Sequence, residues 1–300
     1  MDDFNPPVGL AEDMGAGIRR ILAPNPSPMT YRGTNTYLLG ARDVAVVDPG
    51  PEDPAHLRAI LGALSPGQRI SHVFVTHSHV DHSPLAAPLA RETGAQVHAF
   101  GPSGTGRSDV MERLAASGLN DAGEGIDPRF APDIELIDGQ TVEGDDWALS
   151  ALWTPGHLGN HLSFVCVDAV FTGDLVMGWA SSLVSPPDGD LTDFMASCRR
   201  LRGLQARVLH AGHGAPITDP AGRLDWLIAH REGREAAIRA ALQDGPANAA
   251  TLAQRIYTDT PAALMGAATR NVLAHLIDLL GKKVVSPLGD LTSTARFELT

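Results

Sequence analysis

Short apolar runs, each bounded by Gly, Pro or Asp, recur along the first two-thirds of the chain. TYLLG (36–40), VAVVD (44–48), HVFVTH (72–77), AQVHAF (95–100), WALSALWT (147–154), HLSFVCV (161–167) and RVLHAG (207–212) have the length and the β-branched or bulky content of strands. Between them, 53–64, 84–93, 109–118 and 193–204 read as helices. Strands alternate with helices, which predicts a mixed α/β (α+β) fold. The stretch 101–131 is rich in Gly, Ser and Asp around one short helix, and reads as a surface loop or a lid over a pocket.

The texture changes after residue 221. A long helical run at 225–243 stops at Asp244-Gly245-Pro246, a short amphipathic helix covers 251–257, and a longer one at 262–280 stops at Gly281. Residues 282–286 then read as a strand. Helices followed by a β segment predict a small winged-helix-like module. A boundary near Gly222 divides the chain into 1–221 and 222–300.

Composition narrows the partners. With 43% hydrophobic and 19% charged residues over 300 positions, the chain has the make-up of a globular protein that folds without a disulfide or structural metal. A formal charge of −12 argues against nonspecific binding to nucleic acid or to an anionic membrane. Residues 222–300 carry nine Lys and Arg against eight Asp and Glu, too little electrostatic footprint for stable DNA binding. Cys166 and Cys198 form no disulfide framework and sit in no activated-thiol motif, so both read as structural residues in a reducing, cytoplasmic compartment. The acidic, proline-broken start lacks the chemistry of a signal or transit peptide. The uncharged stretch 147–167 holds Pro155, Asn160 and two histidines, so no membrane span is expected.

Chemistry concentrates at Thr76-His77-Ser78-His79-Val80-Asp81-His82, where a strand turns towards a helix. On an extended strand end His77 and His79 project to one side, and the turn brings Asp81 and His82 to a second point nearby. Three imidazoles and a carboxylate within six residues suit a borderline divalent ion such as zinc. A polar surface turn is the competing reading. Further candidates stand at later strand ends, in Thr154-Pro155-Gly156-His157, Thr172-Gly173-Asp174 and Gly212-His213-Gly214, each beside a glycine that permits close backbone approach. His161 lies four residues after His157. Asp48, in Asp48-Pro49-Gly50, reads either as a turn residue or as a support for the metal-binding loop. His56, His72, His98, His230 and His275 lie within helical or strand texture and read as structural or surface residues.

The order HxHxDH, then His, then Asp, then His resembles the metallo-β-lactamase superfamily over about residues 17–220. The resemblance implies a four-layer αββα sandwich with metals at the edge where strand ends converge. It implies that His77, His79 and His157 hold one metal, that Asp81, His82 and His213 hold a second, and that Asp174 bridges them. His210 competes with His213, and the Gly-His-Gly context favours His213. Two divalent ions, zinc with manganese or iron as alternatives, would then share a hydroxide that acts as nucleophile, with no protein nucleophile needed. Asp81, besides binding metal, and His161, through a ligand or the substrate, are the expected catalytic positions. The run from Asn25 to Tyr37, with His230-Arg231…Arg234-Glu235 and the C-terminal module, is similar to the β-lactamase-like-protein-2 branch, which includes a single-strand-specific endoribonuclease.

Two hydrolase readings follow, with single-stranded RNA slightly ahead as substrate. The alternative is a glyoxalase-II-like thioesterase, or another small acyl-ester or lactone hydrolase, with Lys282 and Lys283 as candidate anion-binding groups. β-Lactam hydrolysis is disfavoured because such enzymes usually place Cys where this chain has Asp174. A diiron oxygen reductase would typically carry Glu in place of His79.

Overall fold

The computed structural model describes residues 4–119 and 125–300. Seven strands form the first sheet in sequence order: β1 (Ala11–Gly15), β2 (Ile18–Leu22), β3 (Asn35–Leu39), β4 (Asp43–Val47), β5 (Arg69–Phe74), β6 (Gln96–Ala99) and β7 (Ile134–Glu135). Strands β1 to β4 pair antiparallel, and β4 to β7 pair parallel. Helices α1 (Pro54–Gly62) and α2 (Ala86–Thr93) make crossovers within the parallel part. The second sheet runs β12 (Val208–Ala211), β11 (Ala169–Gly173), β10 (Leu162–Cys166), β9 (Ala148–Trp153), β8 (Thr141–Glu143).

Period-two alternation separates the layers. In β4, Val44 and Val46 face the α1/α2 side, whereas Ala45 and Val47 face the second sheet. Phe74, Leu149, Phe164 and Phe171 fill the space between the sheets. The outer face of the second sheet packs Val170 and Leu209 against Phe194, Cys198 and Leu201 of α4 (Leu191–Arg202) and Leu224 and Leu227 of α5 (Pro220–Leu242). The result is helix, sheet, sheet, helix, the layering expected for the sandwich. Truncating a fully buried Phe164 to Ala would cost about 3–5 kcal/mol.

The C-terminal core joins α5, α6 (Ala249–Ile256), α7 (Met265–Gly281) and a three-stranded sheet ordered β13 (Ala247–Asn248), β15 (Arg296–Leu299), β14 (Val285–Leu288). This is the winged-helix arrangement, and Phe297 is buried at its centre. Gly222 lies in the first turn of α5, whose Ile238 and Leu242 belong to the C-terminal core while Leu224 and Leu227 belong to the sandwich. Among its described residues, the segment at 101–131 is anchored to the rest of the protein. Met111 and Leu114 of α3 (Asp109–Ala116) and Leu119 enter the C-terminal core, and Ser108 Oγ donates to Asp190 Oδ2 at 2.6 Å. The middle of that segment, 120–124, lies outside the described residues.

Helix boundaries differ from the sequence reading by a few residues, through capping. Asp190, rather than Asp193, caps α4, and Asp219 with Pro220 starts α5 five residues early. The β1–β2 hairpin went unread because its strands are charged: Arg20 is buried and lies opposite Glu12. No helix among the described residues is long and apolar enough to cross a membrane.

Candidate metal centre

The parallel strands β4 and β5 end side by side, and the segment beyond β5 carries the histidines. Asp48 directly follows β4 with φ +52° and organises this edge. Its Oδ1 accepts from the Thr76 backbone N–H at 2.7 Å, and its Oδ2 accepts from Thr76 Oγ1 at 2.8 Å and from His82 Nδ1 at 3.0 Å. Thr76 Oγ1, its own proton spent on Asp48, accepts from His77 Nδ1 at 2.9 Å. His157 Nδ1 donates to Leu183 O at 2.7 Å, and His213 Nδ1 donates to Gly33 O at 3.0 Å. Asn35 Nδ2 donates to Ala211 O and Gly214 O, which pins the backbone on both sides of His213.

These partners assign the tautomers. Four imidazoles have their Nδ1 protons committed outward, so in the neutral ring each Nε2 presents a lone pair inward. His77 Nε2 and His157 Nε2 lie 3.0 and 3.1 Å from His79 Nδ1. Ligands about 2.0–2.1 Å from a tetrahedral zinc would lie about 3.3 Å apart, so this spacing fits a cation among them. On the other side His213 Nε2 approaches Asp81 Oδ2 at 3.1 Å, Asp174 Oδ2 at 3.4 Å and His82 Nε2 at 3.3 Å. Asp174 stands between the two groups, with Oδ2 3.8 Å from His157 Nε2 and Oδ1 3.5 Å from His82 Nε2. Its Oδ1 is buried without a hydrogen-bond donor, the kind of orphaned acceptor that a metal ion satisfies. Ligand atoms fall into two clusters, His77/His79/His157/Asp174 and Asp81/His82/Asp174/His213, each spanning no more than 4.8 Å.

The electrostatics of the site divide it in two. Burial and then His157 push His79 down to about 3, while burial and the neighbouring histidines hold His77 well below the ordinary imidazole range. Burial also lowers His157. Burial opposes charge on His213 and His82 too, but there the carboxylates win. Asp174 and Asp81 raise His213 to about 9, and Asp81, Asp174 and Asp48 hold His82 well above its usual value. Against the burial that favours their neutral forms, His82 and His213 keep Asp81 and Asp174 ionised.

Two glycines are obligatory at this edge. A Cβ on Gly173 would sit 2.6 Å from Thr76 Oγ1 and 2.7 Å from His161 Nε2, and one on Gly212 would sit 2.6 Å from Asp174 Oδ1. His161 lies behind the centre, fully buried, its Nδ1 3.0 Å from Thr154 Oγ1 and its ring 5.2 Å from that of His77. His210 stays away from the cluster, tilted against Tyr37 and stacked on Phe171. Lys282 is committed to Asp278 and Glu235 at 2.7 and 2.8 Å. Sequence reading singled out Asp48 but passed over Thr76 and Asn35, whose only local signal was their position next to strand ends.

Beside the centre lies a groove of about 190 Å³ between the loop at 177–183 and the C-terminal helices. Its lining includes Met29, Met177, Trp179, Leu183, Tyr257 and Leu264. Leu183 carries the carbonyl that holds His157, and Trp179 packs on Gly214, next to His213.

Comparison with known proteins agrees with this geometry. Residues 249–290 match the beta-lactamase associated winged helix domain. The beta-lactamase-like protein 2 homolog of Drosophila melanogaster is 29% identical over 292 residues, covering 92% of each chain. The atrochrysone carboxyl ACP thioesterase of Aspergillus fumigatus is 28% identical over 282 residues, covering 88% of this chain and 79% of that one. The crystal structure of a metallo-beta-lactamase family protein from Thermus thermophilus superimposes with a TM-score of 0.76 at 27% identity, over 96% of this chain and all 100% of the other. Residues 29–213 match the metallo-beta-lactamase superfamily, and with the His/Asp centre and layered sandwich in place, the chain belongs to that superfamily of metal-dependent hydrolases.

Proposed function

We propose that this protein hydrolyses small acyl thioesters or related acyl esters at a dinuclear metal centre. His77, His79 and His157 would hold one divalent ion and Asp81, His82 and His213 the other, with Asp174 between them. When bound, the ions supply Lewis acidity towards the scissile carbonyl and activate water at neutral pH. The chain's own part is to aim the lone pairs inward through Asp48, Thr76, Leu183 and Gly33, which fixes the ligands before a cation arrives. Asp81 keeps its proton affinity low, so it serves as a ligand and orienting acceptor rather than as a proton store.

The observation that carries this reading is the apolar groove whose wall reaches His157 through Leu183 O and Gly214, the neighbour of His213, through Trp179. Met177, Trp179, Leu183 and Leu264 offer an acyl chain a place to leave water, at about 25 cal/mol per Å² buried. The relative named as an ACP thioesterase supports the same class of substrate. Single-stranded RNA, expected from the sequence, has less behind it. The net charge is −12, and the aromatic rings next to the groove are stacked on one another, Tyr31 to Trp179 at 5.0 Å, instead of standing open for bases.

The test gives metal-loaded protein a series of acyl N-acetylcysteamine thioesters and, separately, a single-stranded oligoribonucleotide. Thioester turnover is expected, with KM raised when Ala267→Trp fills the groove and turnover lost in His79→Ala. Oligoribonucleotide cleavage that disappears in His79→Ala, together with inert thioesters, would reverse the assignment in favour of a ribonuclease.

A further inference from the structure

Arg231 is among the largest fully buried side chains, yet no carboxylate among the described residues pairs with it. Burying a guanidinium is costly unless hydrogen bonds replace its water. Burial draws its pKa down to about 10, which still leaves it charged at neutral pH. Its compensation is specific. Nη2 donates to Ser181 O and Ser182 O, both at 2.8 Å, Nη1 donates to Asn271 Oδ1 at 2.9 Å, and the guanidinium carbon lies 5.0 Å from the Phe194 ring centre. Asn271 Oδ1 also accepts from the backbone N–H of Val184 at 3.1 Å. The loop is therefore gripped at three positions, 181, 182 and 184, and the carbonyl left between them, Leu183 O, is the acceptor for His157 Nδ1.

We propose that Arg231 of α5 and Asn271 of α7 are positioning residues for His157, so that the C-terminal module builds part of the metal centre. The inference rests on the reading that His157 is a metal ligand. The loop needs the grip because Ser182 sits at φ +64°, a left-handed conformation that strains a non-glycine residue and persists only where its surroundings enforce it. With Leu183 O fixed, the His157 proton stays on Nδ1 and its Nε2 stays aimed at His79 and Asp174. The other half of the centre takes its nearest hydrogen-bond supports from Asp48 and Gly33, outside residues 181–184.

The experiment titrates metal-free full-length protein with cobalt(II), following the d–d spectrum and competition with a chelator to obtain two dissociation constants. Unfolding midpoints are measured in parallel. Asn271→Ala should weaken one of the two sites by roughly 10-fold, the low end of the usual cost of losing a ligand's support, and leave the other unchanged. Asn271→Asp keeps an acceptor for both Arg231 and Val184 and should restore binding. Arg231→Lys, which keeps the charge and loses the fork, should weaken the same site that His157→Ala destroys. Wild-type constants and spectrum in folded Asn271→Ala would overturn the clamp, as would equal weakening of both sites. Unchanged constants in His157→Ala would instead overturn the ligand reading, and the clamp with it.

Discussion

The two halves of the candidate metal centre are built from similar residues and differ in chemistry. His77, His79 and His157 crowd three imidazoles together with only the shared Asp174 for a carboxylate, and burial keeps them neutral. Asp81, His82 and His213 mix imidazoles with carboxylates, and the carboxylates hold the imidazoles protonated against the same burial. In one half, burial outweighs the single shared carboxylate and the rings stay neutral. In the other, protons already occupy the places a cation would take. Ligand identity alone therefore does not define a site, because the number of acids within reach decides whether a buried histidine is empty or filled.

The largest effect should come from the residue common to both halves. Asp174→Ala should reduce turnover to background and lower metal content at both positions, with little loss of folded structure, since apolar burial in the sandwich supplies most of the stability. Elemental analysis beside far-UV circular dichroism checks this, and full metal content in the variant would dismiss Asp174 as a bridge. A smaller effect, confined to one half, is expected of His161→Ala. Because His161 backs His77 and His157, the substitution should cost roughly 10–100-fold in activity or metal affinity on the His77 side. Steady-state kinetics with a metal titration measures it, and wild-type values would reduce His161 to packing.

The smallest effect is a pH dependence of the metal-free protein. His213 has its pKa raised from 6.5 to about 9 on folding, so the folded state binds an extra proton between those values. The stability this provides is complete below pH 6.5 and is lost as pH rises through 9, with a slope of at most about 1.4 kcal/mol per pH unit for the one group. Metal binding at that half should strengthen over the same range as the competing protons leave. Denaturant midpoints of chelated and loaded protein at pH 6.5 and 9 should thus move in opposite directions. Parallel curves would erase the distinction between the halves.

Much of this was legible in the sequence because its signals are local. VAVVD and HVFVTH announce buried strands through composition, and the seven ligand candidates stand at strand ends, four of them within six residues. Support for those ligands was harder to see. Asp48 reaches Thr76 and His82 only because β4 and β5 pair in parallel, a tertiary fact. Arg231 and Asn271 act on backbone carbonyls and an amide some 50 and 87 positions away, and such bonds leave no residue-type pattern to read. The apolar groove likewise takes its walls from segments that the fold alone brings together.

Anomalous diffraction from crystals of the metal-loaded protein tests the central claim most directly. The account predicts two peaks per chain, one enclosed by His77, His79 and His157 and the other by Asp81, His82 and His213, with Asp174 touching both. A single peak, or one lying outside these residues, would contradict it.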